Sequence, residues 1–339
     1  MRVARDALAD YSDTIVSTSF RRMRLSFRPA LLACALAAGA AFLTGCDSVG
    51  PSLKDSAYAM ERSRAGLVRK EITLADGTRI AYLEGGTGAP LVLVHGFGAD
   101  KDNFTRMARF LVPHYRVIAP DLVGFGESTH RADVDYHYAA QAQRLHDFTQ
   151  ALGLSRFDLG GNSMGGGISM SFAAQHPQEV ASLWLIDAAG IAEAPPSELA
   201  RIITTTGTNP LMITKESDFA AFMKFVMSDP PYIPGSVMNT LARERMANQE
   251  LERQVFLQIA TDSVSAAVKG LRTPTLVVWG AEDRALSVGT VPILKTLLPN
   301  AQAIVMPGVG HAPMLERPKA TAEDYIRFRE HLAPVAATN

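Results

Sequence analysis

Three residue types that together can attack a carbonyl occur in one order along this chain: Ser163, then Asp283, then His311. Ser163 is the centre of Gly161-Asn162-Ser163-Met164-Gly165, between the apolar run 157–160 and the small-residue segment 166–171. That order reads as strand, sharp elbow and helix with the serine at the apex. Glycines on either side remove the Cβ atoms that would collide across so tight a turn. A serine hydroxyl is a poor nucleophile at neutral pH, so it needs a base within reach and a third group that holds the base in the right tautomer. His311 suits the base, because it follows the apolar run 303–306 and the turn Pro307-Gly308-Val309-Gly310. His95, in the turn after the apolar run 91–94, reads instead as a brace of that turn. Asp283 follows the run 276–279 and Gly280 and is the favoured acid; Asp187, after the run 183–186, stays open as the alternative.

Residues placed this way need a scaffold that ends several strands at one edge. The runs 80–83, 91–94, 117–119, 157–159, 183–186, 276–279 and 303–306 are apolar without alternation and end in Gly, Pro or Asp. Unalternated strands are buried on both faces, as in a parallel sheet covered by helices. Between two of them, Ala142, Leu145, Phe148 and Leu152 recur at helical spacing and predict a helix over 139–152. The alternation predicts an α/β fold, mostly parallel, with reactive loops at the carboxyl ends of the strands. From about residue 191 to 270 the strand pattern stops, and a helix is expected over 237–259. The domain reading is an upstream extension and signal over 1–46, a tether or short surface helix over 47–68, a core over 69–190 and 271–339, and a helical insertion over 191–270.

From about Arg69 to the end, the chain resembles the α/β-hydrolase superfamily. The segments that carry the likeness are Leu83-Glu84-Gly85-Gly86, His95-Gly96-Phe97-Gly98, Pro120-Asp121-Leu122-Val123-Gly124-Phe125-Gly126-Glu127-Ser128, Gly161-Asn162-Ser163-Met164-Gly165-Gly166 and Val309-Gly310-His311-Ala312-Pro313-Met314. Within that superfamily it looks most like a bacterial lipase branch that is similar to monoacylglycerol lipases. The resemblance implies the α/β-hydrolase fold with a helical cap insertion, Ser163 as nucleophile, Asp283 as acid and His311 as base. It also implies an oxyanion hole made by the backbone amides of Phe97 and Met164. Phe222, Met223 and Val226, on a cap helix, are the expected substrate-binding residues, with packing inside the cap as the competing role.

Composition narrows the partners. Across 339 residues the net charge is −1 and the sequence pI about 6.7, which argues against a nucleic-acid surface. The 2 cysteines and the scattered histidines have no zinc spacing, so neither a metal nor another cofactor is expected. Both cysteines precede the core. Arg21, Arg22, Arg24 and Arg28 lead into the apolar run 29–43, which ends in Thr44-Gly45-Cys46. A basic, then apolar, then small-residue order is an export signal, too short for a spanning helix of about 20 apolar residues. Leu43-Thr44-Gly45-Cys46 resembles a bacterial lipobox, which implies lipidation of Cys46; the alternative is an uncleaved signal anchor. Met23 suits the start of such a signal better than Met1, and Asp47 resembles an inner-membrane retention signal.

The expected protein is therefore an exported lipase, held on a membrane by lipidated Cys46 and facing the periplasm or cell exterior, that cleaves ester or acylglycerol substrates through an acyl-enzyme. A short-ester carboxylesterase is the neighbouring alternative. A carbon–carbon bond hydrolase shares the elbow, but its oxyanion loop has a Ser-Gly-Pro-Gly character absent at 95–99. A non-catalytic binding protein on this fold would be expected to lack one of the three reactive residues, and none is missing.

Overall fold

A computed structural model describes residues 46–332; the expected export signal up to Cys46, and the Cys46 thiol, fall outside the described residues. The apolar runs become strands β2 (Arg79–Gly85), β3 (Ala89–Val94), β4 (Tyr115–Pro120), β5 (Phe157–Asn162), β6 (Val180–Ile186), β7 (Thr275–Gly280) and β8 (Ala301–Met306), with β1 (Val68–Thr73) added at one edge. They form one eight-stranded sheet in the order β1-β2-β4-β3-β5-β6-β7-β8. Pairings β1 with β2 and β2 with β4 are antiparallel, and the rest are parallel. β1 escapes the apolar pattern because it is an exposed edge, where Val68-Arg69-Lys70-Glu71 can be polar.

Strand side chains divide by parity. Val92, Val94, Leu159, Leu183, Leu185 and Val277 join one apolar cluster, whereas Leu91, Leu93, Trp184, Ile186, Leu276 and Val278 join the other. Successive residues point to opposite faces of a strand, so both faces here are core. The first face is covered by α3 (Tyr138–Ala151), α4 (Met164–Gln175) and α10 (Thr290–Leu297), and the second by α2 (Thr105–Leu111) and α11 (Pro318–His331).

Five helices separate β6 from β7: α5 (Glu198–Thr206), α6 (Glu216–Val226), α7 (Gly235–Ala247), α8 (Gln249–Ala260) and α9 (Ser265–Val268). The single helix expected over 237–259 is thus two. Asn248 interrupts it, leaving helical ψ at 7°, and its Nδ2 donates to Gly124 O at 2.9 Å. A tertiary hydrogen bond there outweighs continuity of the helix. At the other end, α1 (Cys46–Ala65) occupies most of the segment expected as a tether or surface helix. Arg62 grips Asp102 with two nitrogens at 2.7 and 2.5 Å, Lys54 pairs with Glu244, and Ala65 and Leu67 enter the core.

Beneath the reactive end lies a buried ion pair. Lys101 Nζ, in the short 3-10 turn Lys101–Phe104, donates to Asp121 Oδ2 at 2.8 Å, with side chains 2% and 0% exposed. The Asp121 carboxylate also accepts Lys101 N at 2.7 Å and Glu127 N at 2.7 Å. Ser128 Oγ donates to Asp121 O at 2.8 Å and accepts Ala81 N at 3.0 Å. This binds the loop after β4 to the loop after β3. Removing one member of a buried pair strands the other charge. Lys101→Met is expected to cost about 3–5 kcal/mol in a urea unfolding curve, and Lys101→Met with Asp121→Asn less than the single change.

Candidate active site

The chain leaves β5 at Asn162 and enters α4 at Met164, so the whole elbow is Ser163. Its backbone sits at φ 55° and ψ −120°, a region that costs an L-residue about 1–3 kcal/mol and survives only where neighbours over-determine it. They do so here. Ser163 N donates to Ile186 O at 3.0 Å, while Gly166 N, Gly167 N and Ala189 N donate to Ser163 O at 2.9, 3.2 and 2.9 Å. Gly161 and Gly165 leave room for the reversal: a Cβ on Gly165 would overlap the Val94 and His95 carbonyls, and one on Gly161 would overlap Gly165.

His311 and Asp283 are brought together from the ends of β8 and β7. His311 Nδ1 lies 2.7 Å from Asp283 Oδ2. Asp283 Oδ1 accepts the amides of Ala285 and Leu286 at 2.8 and 2.9 Å, and its side chain is 0% exposed. The loop carrying His311 is tied to the elbow, because Asn162 Nδ2 donates to His311 O at 3.2 Å and to Ile186 O at 3.2 Å. Asp187, the alternative acid, is also buried and next to this pair, but the imidazole hydrogen bond goes to Asp283. Burial and the charge of Asp283 push the Asp187 carboxyl well above the usual carboxylate range.

The two expected oxyanion donors flank the elbow. Met164 N is the first amide of α4, where helix geometry offers no intrahelical acceptor. Phe97 follows Gly96, whose Cα points a missing Cβ at Ser163 Cβ. Among the described residues neither N–H donates to a protein acceptor. His95 braces this turn: its Nε2 accepts Leu122 N at 3.0 Å and its Nδ1 meets Gly96 O at 2.8 Å. Burial lowers its pKa, and an acceptor Nε2 requires the neutral ring.

The cap reaches the site through side chains that the motifs do not reveal. Arg245, on α7, is buried and lies against Gly98, where a Cβ would run into its guanidinium. Gly98 is also at φ 67°, so two constraints exclude a side chain there. Arg245 holds Glu252 at 2.6 and 3.0 Å and Leu211 O at 2.8 Å, and its Cζ stands 5.8 Å from the Phe97 ring centroid and 5.0 Å from that of Phe222. Glu316 accepts Gly310 N, Ser228 N and Asp229 N, each at 2.9 Å. His311 N donates to Val226 O at 2.7 Å. Of the expected substrate-binding residues, Val226 is therefore in backbone contact with His311, while Phe222 and Met223 are partly buried between the sheet-side cluster and the cap's own cluster. Phe219 packs only in the latter, with Ile213 and Ala242.

Two groups of described residues bring three metal-capable atoms within 4.8 Å. In one, His146 and His176 stack at 3.9 Å and 5° beside Glu179. Parallel rings aim their in-plane lone pairs side by side, so this arrangement does not converge on an ion. The other is Asp187, Asp283 and His311, whose 2.7 Å edge is a hydrogen bond; ligands about 2.0 Å from a zinc ion stand farther apart than that.

An elbow serine, a paired imidazole and carboxylate, and free amides at the carboxyl edge of a parallel sheet are the features of a hydrolase site. The sequence pattern of the α/β hydrolase fold matches residues 89–318, and the chain belongs to that family. Lipase 1 of Psychrobacter immobilis is 46% identical over 279 residues, 80% of this chain and 87% of the relative. A monoacylglycerol lipase of Xenopus laevis is 29% identical over 260 residues, 73% of this chain and 77% of its own. Among solved structures, a bacterial membrane phospholipase A superposes with a TM-score of 0.82 at 38% identity, over 89% of this chain and 97% of that one. The chain is accordingly a hydrolase of the lipase/esterase type.

The Arg245–Glu252 pair has side chains 8% and 4% exposed. Arg245→Met is expected to destabilise the protein by about 3–5 kcal/mol in chemical denaturation. Adding Glu252→Met is expected to recover much of that loss, since the stranded carboxylate is then gone.

Proposed function

We propose that this protein is a serine hydrolase that cleaves acylglycerol esters through an acyl-enzyme on Ser163, with His311 as base and Asp283 as acid. The observation that carries the reading is the 2.7 Å contact of His311 Nδ1 with Asp283 Oδ2, beside a serine held at φ 55°. With Nδ1 engaged by the carboxylate, Nε2 is the nitrogen left to take a proton from Ser163 Oγ.

Oγ attacks the ester carbonyl, and the negative charge that develops on oxygen meets the amides of Phe97 and Met164. One such donor is worth about 2.7–4 kcal/mol of barrier. The protonated imidazole then gives its proton to the departing alcohol oxygen as the carbonyl–oxygen bond breaks. Water, deprotonated by the same nitrogen, attacks the acyl-enzyme, and the carboxylic acid leaves as Oγ recovers its proton. Phe222, Met223 and Val226 form the apolar wall for the acyl chain. Acylglycerol as substrate is supported by the lipase and monoacylglycerol lipase relatives and by the apolar face of α6.

The same reading places the enzyme on a membrane. Lipidation of Cys46 would attach acyl chains at the start of α1, and burial contributes about 0.8 kcal/mol per methylene, so two chains hold where one is marginal. Support comes from the lipobox-like Leu43-Thr44-Gly45-Cys46. The export signal then directs the enzyme to the periplasm or cell exterior.

The test is hydrolysis of an ester series from acetyl to long acyl chains, with mono- and triglyceride emulsions. Long-chain glyceride turnover is expected, and Ser163→Ala is expected to lose it, with fluorophosphonate labelling, while keeping the wild-type unfolding midpoint. Activity confined to short soluble esters would make the protein a carboxylesterase instead; turnover retained in Ser163→Ala would remove Ser163 from the mechanism.

A further inference from the structure

Asp187 has no part in the mechanism above, yet it is a buried acid on a constrained backbone. It is 0% exposed and, with Ser163, one of two non-glycine residues at positive φ among those described, at 45°. Its amide donates to Val278 O at 2.9 Å, and its Oδ1 accepts Gly280 N at 2.8 Å. Its Oδ2 is buried with no hydrogen-bond donor from the protein. The groups around it are unambiguous. Atoms of Asp187, Asp283 and His311 lie within 4.8 Å of one another, and Glu316 adds a further negative charge.

Two carboxylates facing each other in a buried site cannot both keep a charge; one proton between them turns repulsion into a hydrogen bond. The geometry decides which keeps it. Asp283 receives two backbone amides and the imidazole, all of which favour a carboxylate. Asp187 receives one amide. Burial and the Asp283 charge act on it in the same direction, raising its pKa. A protonated Oδ2 would give the orphaned atom its partner.

We propose that Asp187 is a positioning residue: a neutral carboxylic acid that donates a hydrogen bond to Asp283 and so fixes the carboxylate that orients His311. The proposal rests on the catalytic roles given above for Asp283 and His311. It differs from the alternative in which Asp187 is itself the acid, because a donor can be replaced by an amide and a charged acid cannot. Asparagine offers an oxygen for Gly280 N and an N–H for Asp283.

The experiment compares Asp187→Asn, Asp187→Leu and Asp283→Asn with wild type, taking turnover per fluorophosphonate-titrated site so that unfolded protein is not counted. Asp187→Asn is expected to keep kcat within about twofold, whereas Asp187→Leu loses about tenfold in kcat at unchanged KM, the scale of one buried hydrogen bond. Stability against pH supplies an independent readout. The folded chain holds a proton on Asp187 that the unfolded chain releases above about pH 4. Wild type therefore loses stability as pH rises from there towards the folded pKa, and Asp187→Asn, with no proton to lose, does not. The stability gap in favour of Asp187→Asn should widen with pH.

Asp187→Asn as damaged as Asp283→Asn would overturn the proposal and make Asp187 a charged acid. Full kcat in Asp187→Leu, or a gap that is flat with pH, would overturn it as well. Should Asp283→Asn itself keep full turnover, the catalytic reading fails, and the widening or flat gap still decides whether Asp187 is the protonated partner.

Discussion

The reactive end of this molecule depends on holding one serine in a backbone conformation that serine avoids. Ser163 has four hydrogen bonds to its own peptide groups, from β6 and from the first turns of α4 and its neighbouring loop. Each fixes a different direction, so relaxing φ would break several at once. The requirement spreads outward from there. The β3 loop must come close enough to put Phe97 beside the elbow, which is why the elbow glycine abuts the Val94 and His95 carbonyls. That loop in turn must stand on something rigid, and the buried Lys101–Asp121 pair and the neutral His95 supply it.

The cap is joined to the reactive loops by polar side chains and backbone rather than by apolar contact alone. Glu316 joins the end of α6 to Gly310, and Arg245 joins α7 to the loop of Phe97 and Gly98. Both side chains are buried, and buried polar groups tolerate few geometries because every unpaired lone pair or proton is costly. Apolar helix packing alone would let the cap slide by a fraction of a turn. The Glu316 and Arg245 contacts set the register of the inserted helices over His311 and over Phe97 together, so a shift of those helices is felt at both residues.

Most of the sheet was legible because burial on both faces leaves a continuous apolar run, and the elbow was legible because close approach admits only glycine at Gly161 and Gly165. What was missed follows from the same logic. Val68–Thr73 is paired on one side and exposed, so its sequence has no reason to be apolar. The break at Asn248 depends on a carbonyl more than a hundred residues away, and helical periodicity continues across it. Arg245, Glu252 and Glu316 look like solvated helix charges, since their burial is created by elements distant in the chain. A glycine such as Gly98 was the only local sign of Arg245: something had to occupy the space its missing Cβ leaves.

The same division explains why chemistry can be read here more readily than substrate length. The reacting atoms obey geometric rules that tolerate errors of a few tenths of an ångström, so the residue types that satisfy them are few. An apolar wall has no such rule. Phe222 and Met223 each touch both the sheet-side cluster and the cap's own cluster, and any large flexible hydrophobe would fill that space nearly as well. A methylene more or less in the acyl chain changes binding by about 1–3 kcal/mol at most. Under the proposed function, selection on chain length acts through small displacements of α6, whose end is pinned at Val226 by His311 and at Ser228 by Glu316. Acyl preference and the orientation of His311 are then, under that same proposed function, set by one helix position, and neither can be tuned without moving the other.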